Sequence, residues 1–356
     1  MDILKRIRDL TTDLGIYQHA KIKKPDPKFG YALEDQSRAL ILAYKLNDEK
    51  LKKIYLDFII RAKRKDGLLY HFCYENNDGY IFKNEENNSK PNLQEAYGIA
   101  LWALLTVQNK SYHYNNNIFK NDQDNNGKNN ANNSENNKIN KEIKKIIDSL
   151  IKDAYSWTSP RAMASALLGL LNIKNPIELE NKFIQKLIEL FHKTHTKDWV
   201  WFENYLVYAN AILPWALWKA YVIRKYKNCL EVAQKTTEFL INTCQENKIP
   251  SPIGNKGWYF KDKSKALYDQ QPIDASYMVC CLDYAYQATS DKKYLKIAKE
   301  WYEWFWGNNL NKIPLIDNEF ACYDSLTPKG VNLNQGAESN ICFLFAHLSA
   351  NKLKIL

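Results

Sequence analysis

Apolar residues recur at spacings of three and four along almost the whole chain, which is the pattern of amphipathic α-helices. Twelve segments carry this pattern. The predicted helices cover about 2–14, 31–46, 48–65, 92–107, 139–154, 159–172, 179–194, 202–222, 227–245, 270–289, 291–306 and 334–350. The sequence therefore predicts an all-α protein.

The predicted helices are of two kinds, which alternate along the chain. Helices that start near 31, 92, 159, 202, 270 and 334 are apolar on most faces, whereas those near 48, 139, 179, 227 and 291 are rich in Lys and Glu on one side. A helix that is apolar all round is buried, and a one-sided helix lies outside it. Pairing helix 2–14 with the last helix completes six hairpins, which predicts an (α/α)6 toroid with the N-terminal helix closing the ring. An open α-solenoid of helical pairs is the alternative architecture.

One segment interrupts this pattern. Residues 110–141 contain a low-complexity, Asn-rich stretch with too few apolar side chains to order itself, so it is interpreted as a flexible surface insertion. The six helical pairs otherwise predict one domain over residues 1–356.

Composition and charge exclude several classes of protein. The net charge is +10, but Lys and Arg are spread along the chain and form no basic stripe, so no nucleic-acid partner is predicted. No apolar run approaches the roughly 20 residues of a membrane span, and the N-terminus lacks the apolar core of a signal peptide. Seven cysteines without a CxxC pair favour structural thiols in a reducing compartment. We therefore expect a soluble, cytoplasmic protein; its oligomeric state stays open.

The starts of the six apolar helices carry the candidate chemistry. They read "YALEDQSR" (31–38), "NLQEAYG" (92–98), "SPRAMAS" (159–165), "WFENYLVYAN" (201–210), "DQQPIDAS" (269–276) and "NQGAESN" (334–340). Five carry a carboxylate and the sixth carries Arg161. In a toroid these helix starts meet at one end, so their carboxylate, amide and aromatic groups are predicted to converge.

Spacing suggests which of these side chains share a helix face. On helix 202–222, Glu203, Val207 and Asn210 follow at i, i+4 and i+7. Pro214 in the same helix is expected to kink it about one turn below Asn210. Glu338 is interpreted as functional because its helix is too apolar to be exposed.

Further pairs follow on the other apolar helices. Gln270 and Asp274 are predicted to share a face, and so are Gln335 and Glu338. Glu34 and Arg38 are an i, i+4 pair, for which a surface ion pair is an equally good interpretation. Asp269 fits a structural N-cap ahead of Pro272 as well as it fits a functional role.

Paired carboxylates suit glycosidic chemistry, because one protonated acid assists the leaving oxygen while one carboxylate activates water or attacks the sugar. The aromatic residues Trp199, Trp201, Tyr205, Trp258, Tyr259 and Tyr268 in or beside the loops suit stacking on sugar rings. By contrast, "WYEWFWG" (301–307) is interpreted as packing at the end of an outer helix.

Other site chemistries find little support in the sequence. His192 and His195 have a metal-like spacing but fall on an outer helix, and no Cys–His cluster indicates zinc. "GNKGWY" (254–259) lacks the context of a nucleotide-binding loop and is interpreted as a loop over the mouth of the toroid. No metal and no cofactor are expected.

Several motifs resemble a bacterial family of the six-hairpin glycosidase superfamily, whose members are often labelled glycosyltransferase or glycoside-hydrolase-like. They are "YALEDQSRALI", "WVWFENYLVYANAILPWAL", "PIGNKGWY", "DQQPIDAS", "WFWGNN" and "NLNQGAESN", in order from about 29 to 345. The resemblance implies an (α/α)6 barrel and a carbohydrate substrate, but no defined reaction. The chain departs from the family pattern mainly in the Asn-rich insertion and in "CYDSLTP" (322–328), where a Gly is expected after the Asp.

The leading hypothesis is a carbohydrate-active enzyme that cleaves or transfers a glycosidic bond of a sugar or oligosaccharide, with Glu203 and Asp269 as the acid–base pair. Asp35, Asp274 and Glu338 are alternates for either role. The candidate substrate-binding residues are Glu34, Asp35, Arg38, Glu95, Arg161, Trp201, Asn204, Asn210, Trp258, Gln271, Asp274 and Glu338. A sugar epimerase or isomerase on the same toroid is one alternative, although few histidines fall on the apolar helices. A non-catalytic glycan-binding protein is the other.

Overall fold

The structure, a computed structural model, describes residues 2–84, 93–118 and 129–356. The helices of these residues are α1 (Lys5–Leu10), α2 (Leu33–Leu46), α3 (Glu49–Arg61), α4 (Leu93–Ile118), α5 (Asn129–Ala154), α6 (Pro160–Leu170), α7 (Glu178–Thr194), α8 (Ile212–Arg224), α9 (Lys227–Thr243), α10 (Pro272–Thr289), α11 (Lys292–Glu303) and α12 (Ala337–Leu353). The strands are β1 (Ala20–Lys21), β2 (Lys24–Pro25), β3 (Tyr31–Ala32), β4 (Phe72–Asn76), β5 (Gly79–Lys83), β6 (Tyr205–Leu206), β7 (Gln245–Glu246), β8 (Ile249–Pro250), β9 (Tyr259–Phe260), β10 (Ser325–Thr327) and β11 (Gly330–Asn332). The structure is thus mainly helical, as the periodicity predicts.

Two compact units make up the chain. The α2–α6 unit comprises Asp13–Gly15 and Tyr31–Glu180, and the α8–α12 unit comprises the residues up to Thr12, Ile16–Gly30 and Asn181–Leu356. α1 belongs to the second of these, and α7 begins in the first and continues into the second. The prediction of one domain over 1–356 stays a prediction.

In the α2–α6 unit, α4 packs between α2 and α6, while α3 packs on α2 and α5 on α4. α2 and α6 are buried on nearly every face, whereas α3 buries one side only. α4 approaches α6 closely at Gly98, where a Cβ atom would lie 2.5 Å from the carbonyl oxygen of Ala162. The alternation of buried and one-sided helices predicted from the sequence is confirmed here.

The α8–α12 unit repeats the arrangement. α10 packs between α8 and α12, α9 packs on α8, and α11 packs on α10. α1 contacts α12, and Arg6 of α1 donates hydrogen bonds to the carbonyl oxygen of Gln335 just before that helix. The sequence prediction that the first helix pairs with the last is therefore confirmed, although α1 is shorter than predicted.

Capping residues explain where several helices begin. The side chains of Asp48, Ser159 and Asp291 accept hydrogen bonds from backbone N–H groups in the first turns of α3, α6 and α11. α2 ends at Asn47, which adopts the left-handed conformation that Asn tolerates well. These local signals agree with the packing pattern, so these boundaries lie close to those predicted.

α4 and α5 both extend beyond their predicted ends. α4 continues to Ile118 and α5 begins at Asn129, so both run into the segment 110–141 that the sequence predicts to be a flexible insertion. Residues 119–128 of that segment lie outside the described residues, and its flexibility stays a prediction.

The prediction of one helix over 202–222 is wrong in its first half. Residues 199–211 form a loop that contains β6, and α8 begins at Ile212. The Asn210 side chain bonds the backbone N–H and carbonyl groups of Val207, at 3.0 and 2.5 Å, and Ala209 adopts a positive φ of 51°. These local bonds compete with helical ones. Pro214 lies in the first turn of α8, where its missing N–H has no intrahelical partner to lose, so the predicted kink is wrong too.

All seven cysteines are free and buried. Burial raises the pKa of both Cys244 and Cys281 to about 12, so these thiols stay protonated and act as packing groups. Within the described residues, no helix combines the length and the apolar character needed to cross a membrane.

Candidate active site

Two loops of the α8–α12 unit carry the predicted acid–base pair, and backbone pairing holds these two loops side by side. These paired loops are residues 199–211, before α8, and residues 252–271, before α10. β6 pairs with β9 in an antiparallel ladder, with Tyr205 opposite Phe260 and Leu206 opposite Tyr259. Lys261 N–H also donates to the carbonyl oxygen of Asn204 at 2.8 Å. Glu203 and Asp269 therefore lie on neighbouring loops of one unit.

The second loop is closed tightly on itself. Gly254 N–H donates to the carbonyl oxygen of Ala266 at 2.8 Å, and Asn255 N–H donates to that of Asp269 at 2.9 Å. A Cβ atom at Gly254 would lie 2.2 Å from the carbonyl oxygen of Tyr268, so only glycine fits here. The backbone of Asp269 is thus fixed by bonds within its own loop.

Asp269 is largely buried and bears an ion pair. Its Oδ2 atom lies 3.0 Å from Nζ of Lys256, while its Oδ1 atom is buried without a hydrogen-bond partner among the described residues. The interpretation of Asp269 as an N-cap is wrong, because Gln271 occupies that position and Asp269 precedes it by two residues. A role beyond helix capping therefore remains for Asp269.

Glu203 is half-buried and stands on the first loop rather than on a helix. Its carbonyl oxygen accepts a hydrogen bond of 2.6 Å from Nε1 of Trp199. Glu203, Val207 and Asn210 do not share a helix face, since the segment is not helical. Asn210 is buried and supports the loop through Val207, while Asn204 is exposed.

Aromatic rings project from the paired loops. Tyr205 is 36% exposed, Tyr208 is 39% exposed and Phe260 is 47% exposed. Tyr205 contacts Phe260, and Tyr208 contacts the half-buried Trp258, with ring centroids 6.0 and 5.9 Å apart. The four rings form two pairs on the same two loops as Glu203 and Asp269.

Trp201 does not belong to this exposed group. It is fully buried and packs against Phe202 and Phe239. The prediction that it lines the site is corrected, because its ring has no surface that a ligand could reach. "WYEWFWG" packs mostly as predicted, with Trp304 and Phe305 buried and Trp306 42% exposed.

Other predicted residues lie at the starts of α10 and α12. Asp274 is buried in the first turn of α10, and Glu338 is half-buried in the first turn of α12. The predicted faces that pair them with Gln270 and Gln335 are wrong, since both glutamines precede their helices. Gln270 bonds Ser251, Leu267 and Trp304, and Gln335 bonds Asp317. Both glutamines hold loops in place.

In the α2–α6 unit, two carboxylates at the start of α2 contact basic side chains. Glu34 Oε2 lies 3.1 Å from Nε2 of His71, and Asp35 Oδ1 accepts a hydrogen bond of 3.2 Å from Arg38. Asp35 and Arg38 are buried, so the interpretation of Arg38 as part of a surface ion pair with Glu34 is wrong. The side chain of Glu34 is 29% exposed and that of His71 is 7% exposed.

The surroundings of Glu34 favour its ionised form. Burial would raise its pKa, but the hydrogen bond and charge of His71 and the charge of Arg38 outweigh this and lower the pKa below the ordinary value. His71 reaches Glu34 because β3 pairs with β4, and Leu33 N–H donates to the carbonyl oxygen of His71 at 2.8 Å. Its Nδ1 atom is buried without a hydrogen-bond partner among the described residues.

Two further predicted residues lie at the starts of α4 and α6. Glu95 Oε1 accepts a hydrogen bond of 2.9 Å from the hydroxyl of Ser159, which also caps α6. Arg161 is buried in the first turn of α6. Ser159 thus connects these two helix starts within the α2–α6 unit.

Two titratable residues in contact with these helix starts, His71 and Asp324, were not among the predicted site residues. His71 precedes a strand in a region where no strand was predicted, although the alternation in "YHFCYE" is a signal of one. Asp324 accepts hydrogen bonds from Gly336 N–H and from the Ser339 hydroxyl, across 12 and 15 residues. No local sequence signal announces such a contact.

The part of the chain that the structure describes contains no group of three His, Cys, Asp or Glu side chains able to hold a metal ion. His192 and His195 are exposed, and His195 stacks on Phe191 with ring centroids 4.6 Å apart. The prediction that they fall on an outer helix is confirmed for His192, whereas His195 directly follows the end of α7.

Several solved structures superimpose on this chain over nearly its full length. A D-mannose isomerase structure superimposes with a TM-score of 0.64 and 13% identity, covering 98% of this chain and 96% of that one. A sugar epimerase from a ruminal bacterium gives 0.63 and 12% identity over 99% of both chains. The GH76A α-1,6-mannanase from Salegentibacter sp. HEL1_6 gives 0.58 and 11%, covering 99% and 97%. No family model and no curated protein matches the sequence.

These structures define the class of fold. They belong to the six-hairpin glycosidase superfamily, whose fold is the all-α (α/α)6 toroid, and this chain has that fold. The fold predicted from periodicity and from the family resemblance is therefore confirmed. Glycoside hydrolases and sugar isomerases or epimerases share it, so the fold by itself does not select a reaction.

Proposed function

We propose that this protein is a carbohydrate-active enzyme that cleaves or transfers a glycosidic bond, with Glu203 and Asp269 as its acid–base pair. The main support is the placement of exposed aromatic rings on the same paired loops as these two carboxylates. Tyr205, Tyr208 and Phe260 are each more than a third exposed. Aromatic faces stack on the apolar faces of sugar rings, which accounts for rings left open to solvent beside carboxylates.

The two carboxylates suit the two roles of glycoside chemistry, in which an acid protonates the leaving oxygen and a carboxylate activates water or attacks the sugar. Asp269 Oδ1 is buried without a hydrogen-bond partner among the described residues. Lys256, 3.0 Å from Oδ2, holds the other side of the carboxylate. The second loop thus fixes Asp269 in place, with a side chain that is 15% exposed beside that exposed lysine.

An oligosaccharide library, incubated with and without inorganic phosphate and nucleotide sugars and analysed by mass spectrometry, tests the proposal. Shortened or extended glycans identify hydrolase, phosphorylase or transferase activity. Glu203→Gln is expected to lower turnover by about 10²–10⁴-fold while the fold stays intact. Glu231→Gln, which removes a carboxylate on the surface of α9, is the matched control and is expected to have no effect. Glycan binding without any product would instead identify a non-catalytic binding protein.

Two observations favour a second candidate, a sugar isomerase or epimerase. These reactions move a proton next to a carbonyl group, which histidine can do near neutral pH. His71 is buried and in contact with Glu34, and two of the similar structures are a D-mannose isomerase and a sugar epimerase.

Incubation of common aldoses and ketoses in D2O, followed by NMR, tests this second candidate. Deuterium in a recovered or isomerised sugar, lost in His71→Gln but kept in the exposed-site control His192→Gln, is the expected result for an isomerase. If no deuterium enters any sugar while the library shows glycan cleavage, the isomerase or epimerase function is ruled out.

A further inference from the structure

Asp324 lies directly before β10 and is a half-buried carboxyl group that neither candidate function uses. Its Oδ1 atom accepts two hydrogen bonds, one of 2.8 Å from Gly336 N–H and one of 2.9 Å from the Ser339 hydroxyl. No described residue makes a hydrogen bond to its Oδ2 atom. One oxygen of this carboxyl is therefore fully engaged, and the other is available.

The chain around Asp324 is held firmly. Asp324 N–H donates to the carbonyl oxygens of Asn332 and Asn334, which closes the β10–β11 hairpin over it. Ala337 N–H donates to the carbonyl oxygen of Gln18 at 3.0 Å, which ties the start of α12 to the segment before β1. Asp324 is thus a fixed group, as a catalytic carboxyl must be.

A backbone bridge holds the segment of Asp324 beside the segment of Asp269. Gln270 and Leu326 exchange two hydrogen bonds of 2.9 Å in an antiparallel bridge. Asp269 directly precedes Gln270, and Asp324 lies two residues before Leu326. Because the bridge is antiparallel, Asp269 and Asp324 leave it toward opposite ends, and both lie within the same unit.

The surroundings of Asp324 favour the protonated form more than those of an ordinary aspartate. Burial raises its pKa, and the bonds from Gly336 and Ser339 and the charges of His19 and Arg6 oppose this without cancelling it. Asp317 in the preceding loop, Glu338 in the first turn of α12 and the buried thiol of Cys322 are the other titratable groups nearby.

We infer that Asp324, rather than a member of the Glu203–Asp269 pair, is the catalytic acid of the proposed glycosidic reaction and delivers a proton from Oδ2 to the leaving glycosidic oxygen. This inference rests on the proposed function. As the C–O bond breaks, the leaving oxygen takes the proton and its bond electrons stay on that oxygen, which leaves Asp324 as a carboxylate. Gly336 N–H, Ser339 and the N-terminal end of the α12 dipole stabilise that new charge. Glu203 and Asp269 supply the base or nucleophile. The water or acceptor hydroxyl that adds to the sugar gives its proton to the base, and exchange with solvent then returns the base to its carboxylate form and Asp324 to its acid form.

The test compares two leaving groups on the sugar that the oligosaccharide library identifies. Asp324→Asn keeps the acceptor for Gly336 and Ser339 but has no proton to give. It is expected to lose about 10²–10⁴-fold in kcat/KM on the oligosaccharide. On the 2,4-dinitrophenyl glycoside of the same sugar, whose leaving group needs no protonation, it is expected to stay within a few fold of the wild type. In Asp324→Asn, the fall of kcat/KM on the oligosaccharide at alkaline pH is expected to disappear.

Two further variants separate chemistry from structure. Asp317→Asn makes the same change in the preceding loop, where both carboxylate oxygens already accept hydrogen bonds or pair with a lysine. It is expected to change kcat/KM little on either substrate. Ser339→Ala removes one donor to Oδ1 and is expected to move the alkaline limb to higher pH. Equal losses on both substrates, or full activity of Asp324→Asn on the oligosaccharide, would overturn the inference while leaving the proposed function standing. A wild type that cleaves no glycan would remove both.

Discussion

The carboxylates at the start of α2 and those on the paired loops have different surroundings. At α2, Asp35 is buried with Arg38, and Glu34 is in contact with His71, each through side chains. On the paired loops, Asp269 meets the exposed Lys256, and the loops are held mainly by backbone bonds and by Asn210. Exposed aromatic rings accompany the second group.

This difference separates two uses of a carboxylate. A buried pair such as Asp35–Arg38 fixes a helix start, and removing one partner leaves a charge in the core. A carboxylate on a loop that is held by its own backbone can meet a ligand while the loop keeps its shape. We therefore expect substitutions at α2 to act chiefly on stability and those on the paired loops to act chiefly on activity.

The largest effect is expected from Asp269→Asn, which should lower glycan turnover by about 10²–10⁴-fold with little change in the melting temperature. The reason is that the backbone bonds of the loop remain while the charge is lost. Turnover on the substrate found in the library and thermal unfolding are the two measurements. Asp262→Asn is the matched control, because Asp262 is exposed on the same loop and Asn tolerates its positive φ of 64°. Equal turnover in the two variants would count against a catalytic role for Asp269.

Asp35→Ala should act mainly on stability. It leaves Arg38 as a buried charge without this partner, and we expect the free energy of unfolding to fall by about 3–5 kcal/mol. Glu189→Ala breaks an exposed pair with Lys186 on α7 and should cost at most about 1 kcal/mol. Urea unfolding of both variants measures the difference. Similar costs would mean that the α2 pair is no more important than a surface pair.

Asn210→Ala should have a smaller effect on stability, about 1–3 kcal/mol, because it leaves the backbone groups of Val207 without their partners. Activity should fall with it, since the loop carrying Glu203 loses its support. Asn204→Ala on the same loop is exposed and should leave the unfolding free energy within about 0.5 kcal/mol. If Asn210→Ala changes the unfolding free energy as little as Asn204→Ala does, the Asn210 side chain does not hold the loop and β6–β9 pairing does.

The smallest effect concerns pH. The lowered pKa of Glu34 means that its contribution to stability is fully present above the unfolded-state value of about 4.5 and is lost as pH falls through the lower folded-state value. Glu34→Gln should therefore unfold with a shallower dependence on pH in this acidic range, and should match the wild type's slope near pH 7. Urea midpoints measured from pH 3 to 7 check this. An unchanged slope in the acidic range would show that His71 does not stabilise the carboxylate.

Periodicity predicts the helical pairs well because each helix is a local pattern that packing reinforces. It fails at 199–211 because Phe202, Leu206 and Ala209, which are buried in this loop, have the same spacing as the buried residues of a helix. What decides between them is the pairing of Tyr205 and Leu206 with residues more than 50 positions away. The local sequence pattern does not predict a pairing across so many positions.

The candidate site shows the same limit. The carboxylates can be listed from the helix starts, but their partners come from elsewhere in the chain, as His71 does for Glu34 and Gly336 does for Asp324. Trp201 illustrates the opposite error, because its position beside Glu203 suggested a ligand contact and its side chain fills the core instead. Residue type and spacing predict candidate site residues, whereas long-range contacts determine which of them lie in the site.

Gly254 limits how the second loop can vary. Because a single added methyl group would collide with the backbone of Tyr268, we expect a saturation library across 252–258 to recover only glycine at this position. The exposed neighbour Lys256 faces no such barrier. Anyone who wishes to redirect the substrate preference of this protein should therefore diversify the loop on either side of residue 254 and leave that one position untouched.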